Sequence, residues 1–258
     1  MLAELTDIKT DVQSVFMCEL TSDLAKVLRL SSTLHTISNL TKRNDAKAKA
    51  VNSPENPKVV IFDLYGTLVK FGVMHHPFRQ LLKWARENGR KPKPDDARTL
   101  MTVNGDVPAL VAALGIDAPD ALLKQIQLHI QEELSSLTLY DDVIPTLTAI
   151  RRHNIPIAIC SNLAFPYGKA IDLLPEGQQL TRGLSYETGF IKPESGIYHA
   201  IICQLHVRPE ECLFVGDTLL ADYEGPRQFG MHAYHLVRGT PSTGHSINSL
   251  ADVLTIMQ

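Results

Sequence analysis

The sequence predicts an α/β fold, in which helices cover both faces of a parallel β-sheet. Two observations support this prediction. Short apolar runs rich in β-branched residues alternate with longer stretches that have helical periodicity. The chain also has 258 residues, of which 44% are hydrophobic, so it can bury a core of ordinary size and still carry an insertion.

The N-terminal part of the chain is expected to lie outside this fold, as a helical extension joined to it by a linker. Residues 1–42 place apolar side chains three to four positions apart, which predicts a helical extension of one or two amphipathic helices. Residues 43–57 are polar and contain two prolines, which is typical of a linker. The extension could pack on the chain's own core, form a homo-oligomer or bind a protein partner.

The strands of the sheet are expected where the apolar runs are strongest. These runs cover residues 59–63, 155–160, 212–216 and 232–237. Residues 71–140 have helical periodicity and no convincing strand, and they are too numerous for one crossover helix. The sequence therefore predicts a catalytic core formed by residues 58–70 and 141–258, interrupted by a helical insertion at 71–140.

Charge and composition argue against several classes of partner. The net charge is -3 and charges of both signs are interspersed, which predicts no binding to nucleic acid or to an anionic membrane. The four cysteines lack CxxC spacing, and no apolar run has the roughly 18 residues of a membrane span. With acidic residues near the N-terminus rather than a signal peptide, these features predict a cytoplasmic protein.

Polar side chains follow the predicted strands at the edge where parallel strands end together. Such residues meet in one crevice of an open sheet. The side chains expected there are Asp63, Ser161, Asn162, Lys192, Asp217 and Asp222. An aspartate can attack phosphorus, and carboxylate oxygens are ligands that Mg²⁺ prefers. The set therefore favours phosphoryl transfer, in which catalysis consists mainly of positioning and charge neutralisation.

Four motifs resemble those of one enzyme superfamily. "FDLYGTL", "ICSN", "GFIKPESGIY" and "FVGDTLLADYEGPRQFGM" match, in order and spacing, the motifs of the haloacid dehalogenase-like (HAD) hydrolases over about residues 58–258. The resemblance implies a Rossmannoid sheet with an inserted helical cap of the C1 type.

The resemblance also implies roles for individual residues. Asp63 is expected to be the nucleophile, and Lys192 is expected to pair with both nucleophile and phosphate. Ser161 should donate a hydrogen bond to a phosphoryl oxygen. Gly66, Thr67 and Asn162 are expected to bind the substrate as well, together with Ser161 and Lys192. The ligands of Mg²⁺ are expected to be the carboxylates of Asp63, Asp217 and Asp222 and the backbone carbonyl of Tyr65.

Tyr65 departs from the pattern of the phosphatases in this family, which usually have a second aspartate there as general acid and base. The "DxYGT" pattern instead resembles the L-2-haloacid dehalogenases, which need no metal. The fourth motif points the other way, because its "GDxxxxD" resembles the metal-binding motif of the phosphatases. Two such carboxylates in a site without a cation would repel each other.

The sequence therefore leaves three functions open. The first is a Mg²⁺-dependent phosphatase that acts on a small phosphorylated metabolite. A phenol has a reference pKa of about 10 and is a poor base near neutral pH, so such an enzyme would favour good leaving groups or hold a long-lived aspartyl-phosphate. The second is a metal-independent 2-haloacid dehalogenase. The third is a phosphate-binding or regulatory protein that acts through the N-terminal helices.

Four further basic residues follow the first motif closely. Lys70, His75, His76 and Arg79 could contact the anionic tail of a substrate, although side chains at such positions are more often solvated. Little in the sequence supports a metal site formed by the adjacent His75 and His76.

Overall fold

The computed structural model describes residues 57–242, 244 and 246–257. The predicted helical extension (1–42) and the linker up to residue 56 lie outside the described residues. The main sheet contains six parallel strands: β1 (Val59–Phe62), β4 (Ile157–Ser161), β5 (Thr181–Leu184), β6 (Cys212–Gly216), β7 (His232–Leu236) and β8 (Ser246–Ile247). The α/β fold that the sequence predicts is confirmed.

The strand order positions the functional residues. The strands lie side by side in the order β5-β4-β1-β6-β7-β8. From β1 the chain continues to β4 on one side, whereas from β6 it continues to β7 on the other. The order thus reverses between β1 and β6, and ligands of open α/β sheets bind in the crevice at such a point. Asp63 follows β1 and Asp217 follows β6 at this edge.

The predicted strands agree with the structure to within two residues at each end. β6 has the predicted bounds, whereas β1, β4 and β7 end or begin slightly elsewhere. The strands β5 and β8 were not predicted. The sequence of β5, TRGL, is half polar and contains a glycine, so it lacks the apolar run that marks a buried strand.

A helical insertion, which we define as residues 71–140, lies largely between two short strands. These strands, β2 (Val69–Lys70) and β3 (Thr138–Leu139), form an antiparallel pair. The expectation that residues 71–140 contain no strand was therefore wrong at β3, because two residues are too few to show strand alternation. The helices between them are α1 (Pro77–Glu87), α2 (Asp96–Thr102), α3 (Val107–Ala113) and α4 (Asp120–Ser135).

The helical insertion has its own hydrophobic cluster. One apolar stripe of each helix contributes to it, including Leu81 of α1, Leu100 of α2, Leu110 of α3 and Ile126 of α4. Helix starts follow from the sequence as well: the Asp106 carboxylate accepts a hydrogen bond from the Ala109 amide and caps α3. The division of the chain into a core and a cap stays a prediction.

The two faces of the main sheet are covered by different helices. These are α5 (Val143–Arg152), α6 (Ser185–Thr188), α7 (Ser195–Leu205), α8 (Gly225–Phe229) and α9 (Asp252–Ile256). Because side chains alternate along a strand, Val60 and Phe62 pack in one cluster with α5, and Ile61 packs in another with α7. Within the described residues, no helix combines the length and apolar character needed to cross a membrane.

Three of the four cysteines lie within the described residues. Cys160 and Cys212 are buried, Cys203 is exposed, and all three are free thiols. Cys18 lies outside the described residues.

Candidate active site

Asp63 occupies the position directly after β1. Its amide donates a hydrogen bond to the Val215 carbonyl (3.0 Å), which continues the pairing of β1 with β6. The side chain is buried, with 6% of the residue exposed. The sheet therefore fixes the backbone of Asp63 and places a carboxylate in the crevice between the two strands.

Lys192 lies at the centre of the site. Its Nζ donates hydrogen bonds to Asp63 Oδ1 (2.7 Å), to Asp222 Oδ1 (2.5 Å) and to the Cys160 carbonyl (2.9 Å). Burial acts to lower the pKa of Lys192, but Asp222 and Asp63 outweigh that effect and hold the pKa well above its usual value. The ammonium is therefore charged and connects the end of β1, the end of β4 and the π-helical segment after β6.

Asn162 fixes the loop that carries Lys192. Its Nδ2 donates to the Lys192 carbonyl (2.9 Å), and its Oδ1 accepts from the Lys192 amide (2.6 Å). Both ends of the Asn162 side chain are thus engaged with the backbone of Lys192. Ser161, the last residue of β4, is buried directly beside this clamp.

Asp217 and Asp222 bring two more carboxylates to Asp63. One oxygen from each of the three lies within 4.8 Å of the others. Asp222 lies in a short π-helical segment, Leu219–Glu224, and is fully buried, with Oδ2 accepting from the Thr218 amide (2.9 Å).

Burial and neighbouring carboxylates raise the pKa values of Asp217 and Asp222. Burial and the neighbouring Asp63 and Asp222 charges raise the pKa of Asp217 well above its usual value. Burial raises the pKa of Asp222 to about 6, with Lys192 opposing and Asp63 adding to the rise. Three carboxylates and one ammonium carry a net charge of -2 when all are ionised, since -3 and +1 sum to -2.

This donor set fits a divalent oxygen-binding cation. Mg²⁺ binds oxygen at 2.0–2.1 Å, so opposite ligands of one ion lie about 4.2 Å apart. One oxygen from each of the three aspartates lies within 4.8 Å of the others, so one ion can be reached by all three after small side-chain adjustments. A bound Mg²⁺ would also neutralise the net charge of -2, so the residues present suit the ion that the sequence predicts.

Two glycines leave room for these carboxylates. Gly66 has φ +82°, and a Cβ built there would lie 2.0 Å from Asp217 Oδ2. A Cβ on Gly216 would lie 2.4 Å from the Asp222 Cγ. Any larger residue at either position would displace a carboxylate, so both glycines are required by the site rather than by the turn alone.

Tyr65 directs its hydroxyl away from the carboxylates. The hydroxyl donates to the Tyr167 carbonyl (2.9 Å), and the ring stacks on Phe71 with centroids 4.9 Å apart. Burial, with a smaller effect of Glu133, raises the pKa of Tyr65 above its usual value. As placed, the phenol is protonated and its proton is engaged in a hydrogen bond. The metal-ligand role of its backbone carbonyl stays a prediction.

Thr67 is fully buried, and its substrate-binding role stays a prediction. It is 0% exposed, its Oγ1 has no hydrogen-bond partner among the described residues, and its carbonyl accepts from Arg238 Nη2 (2.8 Å). Arg238 also pairs with Asp142 at 2.8 Å. Through its carbonyl, Thr67 is therefore connected to the Arg238–Asp142 ion pair.

Sequence reasoning missed a chain of hydrogen bonds that begins at Tyr65. The carboxylate of Glu133 accepts from the amides of His75 (2.6 Å) and His76 (2.8 Å) and, at a short distance, from the Tyr167 hydroxyl. Tyr167 in turn accepts from Tyr65 through its carbonyl. One signal was available: Glu133 follows Ile126 and Ile130 on the buried face of α4, where a hydrophobic residue is expected.

A second contact between the helical insertion and the core was also missed. Arg98 of α2 forms a two-point ion pair with Glu194, with Nε–Oε1 at 2.9 Å and Nη2–Oε2 at 3.0 Å. The same Nη2 donates to the Gly189 carbonyl (2.9 Å). Because Glu194 lies two residues after Lys192, this pair connects the insertion to the loop that carries the central lysine.

Known proteins resemble the chain in sequence and in fold. It is 31% identical over 133 residues to a glyceraldehyde 3-phosphate phosphatase of Methanopyrus kandleri, which covers 50% of this chain and 57% of that protein. The chain therefore spans little more than half the length of this relative.

Two solved structures superpose with a TM-score of 0.52. One is a HAD phosphatase from Thermococcus onnurineus, 23% identical, covering 77% of this chain and 97% of that one. The other is the putative HAD-hydrolase YfnB from Bacillus subtilis bound to magnesium, 20% identical, covering 78% and 99%. At these identities the likeness concerns the fold alone. The family model of the haloacid dehalogenase-like hydrolases matches residues 57–230, and the chain belongs to that family.

Proposed function

We propose that this HAD-like hydrolase is a Mg²⁺-dependent phosphatase that hydrolyses a small phosphomonoester through an aspartyl-phosphate at Asp63. The observation that carries the proposal is the buried cluster of three carboxylates around the Lys192 ammonium. Its net charge of -2 is costly to bury unless a cation compensates it. Magnesium bound to the YfnB structure, and the phosphatase activity named for the Methanopyrus relative, agree with this class of reaction.

Each residue of the site has a part in the proposed reaction. Lys192 holds Oδ1 of Asp63, which leaves Oδ2 to attack phosphorus while the bond from phosphorus to the ester oxygen breaks. The leaving group departs as an alkoxide or phenoxide, which takes a proton from water, or as a carboxylate from an acyl phosphate. A water molecule then attacks phosphorus, the bond from phosphorus to Asp63 breaks, and inorganic phosphate and the Asp63 carboxylate are released. Ser161 would donate to a phosphoryl oxygen. Mg²⁺, when bound by Asp63, Asp217, Asp222 and the Tyr65 carbonyl, would neutralise charge on the phosphoryl group.

Tyr65 restricts the range of good substrates. Its hydroxyl is committed to the Tyr167 carbonyl and its raised pKa makes it a poor base. General acid and base catalysis is worth roughly 10²- to 10⁴-fold, so esters of poorly acidic alcohols should react slowly. We propose that acyl or aryl phosphates are hydrolysed faster than alkyl phosphates.

The dehalogenase remains the second candidate because of one observation, the tyrosine at position 65. A dehalogenase of this type would use Asp63 to attack carbon and would need no metal. The raised pKa values of Asp217 and Asp222 favour the phosphatase, because a metal-free reaction has no use for carboxylates that repel one another. A regulatory protein that binds phosphate without turnover is the third candidate.

The test is phosphate release from a panel of aryl, acyl and alkyl phosphates, with Mg²⁺ or with EDTA. We expect Mg²⁺-dependent release that Asp63→Asn abolishes, whereas Asp117→Asn, at an exposed position, should keep wild-type activity. Halide release from 2-haloacids that persists in EDTA would instead establish the dehalogenase. Binding of phosphate without any release would establish the regulatory protein.

The location and the role of residues 1–42 are proposals as well. We propose a cytoplasmic protein, in agreement with the free thiols of Cys160, Cys203 and Cys212. Deleting residues 1–57 and measuring mass by light scattering and stability by thermal melting would test whether the extension dimerises or packs on the core. Unchanged mass and stability would favour a protein partner.

A further inference from the structure

A second group of potential metal ligands lies apart from the carboxylate site, on the helical insertion. His75, His129 and Glu132 each offer one ligand atom, and these atoms lie within 4.8 Å of one another. The His75 and His129 rings are stacked with centroids 4.5 Å apart, and His75 Nε2 lies 2.8 Å from Glu132 Oε2. Neither histidine has a role in the proposed hydrolysis.

The fold holds the backbone of this cluster in place. His129 and Glu132 are three residues apart on α4, so their side chains lie on the same face of the helix. The amide of His75 donates to Glu133 Oε1, and its carbonyl accepts from Gln80 Nε2 (2.7 Å). The segment that carries His75 is therefore fixed against α4, while the three side chains keep freedom to rotate.

One nitrogen of the cluster lacks a partner. Nδ1 of His129 is shielded from solvent and has no hydrogen-bond partner within the described part of the chain. Leaving a buried polar atom unpaired destabilises the folded state. Neutral imidazole nitrogen is also among the commonest metal ligands in proteins, so a bound cation would remove this destabilisation.

We propose that His75, His129 and Glu132 bind a divalent transition metal, with Zn²⁺ as the best match, at a site distinct from the Mg²⁺ site. Two imidazoles and one carboxylate are ligands that suit zinc, with the fourth position open to water. Zn–N distances of 2.0–2.1 Å place ligands of one tetrahedral ion roughly 3.3 Å apart. The His75–Glu132 pair is already that close.

Binding requires a limited rearrangement. The planes of the two rings differ by 17°, and imidazole lone pairs lie in the ring plane, so at least one ring must turn for both to face one ion. The Glu132 side chain is 47% exposed and the His75 side chain 30%, so neither is confined by close packing. Solvent exposure also gives the ion a path to the site.

A metal here would attach the segment before α1 to the end of α4. The neighbouring Glu133 already joins the same two elements and bonds the Tyr167 hydroxyl, and the Tyr167 carbonyl holds Tyr65. The ion would thus strengthen the connection between the helical insertion and the "FDLYGTL" motif, which contains Tyr65.

The experiment is a calorimetric titration of the full chain with Zn²⁺ in excess Mg²⁺. We expect one Zn²⁺ site that His75→Ala, His129→Ala and Glu132→Gln each weaken by roughly tenfold or more. His153→Ala, at an exposed position outside this cluster, is the matched control and should leave Zn²⁺ binding unchanged. Asp217→Asn, which alters the carboxylate site, should leave this Zn²⁺ site unchanged.

Other results would overturn the proposal. These are the absence of Zn²⁺ binding by the wild-type chain, or binding that the three variants do not weaken. If His129→Ala fails to fold, Zn²⁺ binding by Glu132→Gln decides whether the proposal holds, because Glu132 is exposed. As a second readout, Co²⁺ should give an intense visible absorption typical of four-coordinate sites, and the band should disappear in Glu132→Gln. Because Zn²⁺ binding is read rather than hydrolysis, failure here is distinguishable from failure of the proposed phosphatase.

Discussion

Two buried charges in this protein are stabilised in different ways. Lys192 in the core is 5% exposed, and its ammonium lies among ionisable carboxylates. Glu133 in the helical insertion is 3% exposed, and its carboxylate accepts hydrogen bonds from two backbone amides and one tyrosine hydroxyl. The first charge has charged partners, and the second has neutral partners.

The difference separates a functional site from a structural joint. Around Glu133, dipoles satisfy the charge without adding another, so the group needs no ion. Around Lys192, the carboxylates outnumber the ammonium, so either a proton or a bound cation must offset the excess negative charge. A buried charge that only neutral donors satisfy therefore indicates a structural connection. A buried cluster with unequal numbers of positive and negative charges indicates a site that binds a ligand.

The largest expected effect comes from removing the ammonium. Lys192→Met should reduce Mg²⁺-dependent phosphate release by roughly 10³-fold or more, because Asp63 loses the group that orients it. Breaking a buried ion pair should also lower the free energy of unfolding by about 3–5 kcal/mol. Lys169→Met at an exposed position is the control, measured by the same assay and by urea unfolding. Wild-type activity in Lys192→Met would show that the Lys192 cluster is no more a functional site than the surroundings of Glu133.

Removing the buried carboxylate should affect stability more than activity. Glu133→Ala leaves two amides and one hydroxyl without their acceptor, and we expect a loss of about 3 kcal/mol in urea unfolding. Glu133→Gln keeps an acceptor oxygen for the amides and should lose about 1 kcal/mol. The neighbouring, largely exposed Glu132→Ala should change stability by about 0.5 kcal/mol or less. If Glu133→Ala lost activity as completely as Lys192→Met, the role of Glu133 would not be purely structural.

Mg²⁺ should stabilise the protein in a pH-dependent manner. The pKa of Asp222 is raised from 3.8 to about 6, so between these values the folded, metal-free protein holds a proton that the unfolded chain has lost. Its stability should therefore fall as pH rises through this window. Mg²⁺ competes with that proton, so the stabilisation it provides should grow over the same range.

The measurement is thermal melting with Mg²⁺ or with EDTA from pH 4 to 8. At 100 times the dissociation constant, Mg²⁺ should add about 2.7 kcal/mol near neutral pH. Asp217→Asn should reduce this gain. A gain that does not change with pH would show that Mg²⁺ binds elsewhere.

The smallest effect is expected at the exposed contact between the insertion and the core. Arg98→Ala should cost about 0.5–1 kcal/mol, because its ion pair with Glu194 is partly solvated. Arg98 lowers the pKa of Glu194 below its usual 4.5, so the contribution is present above pH 4.5 and is lost as pH falls through the lowered value. Lys83→Ala, whose Glu87 partner is 3.9 Å away, should change unfolding less.

The core of the site could be predicted because its residues follow strands directly. Asp63, Ser161 and Asp217 end apolar runs that the sequence displays, and parallel strands must bring such ends together. The four motifs then indicated the family, which the family model confirms. Individual roles in catalysis stay predictions.

The joint at Glu133 could not be predicted, because its partners are far away along the chain. Tyr167 is 34 residues from Glu133, and Tyr65 is 102 residues from Tyr167. No local pattern encodes such pairs. Likewise His75 is adjacent to His76 in sequence, yet the fold stacks it on His129. The strand β5 was missed for another reason, since its polar residues give no strand signal.

The short β2–β3 pair has a consequence for how proteins of this architecture can diversify. Val69 pairs with Leu139 and Lys70 with Thr138, so the chain leaves and re-enters the core at neighbouring positions. A segment with adjacent ends can be lengthened or exchanged at little entropic cost, because closing a longer loop costs only about 0.6 kcal/mol per doubling. The helical insertion can therefore change in length or in sequence while the six-stranded sheet remains intact.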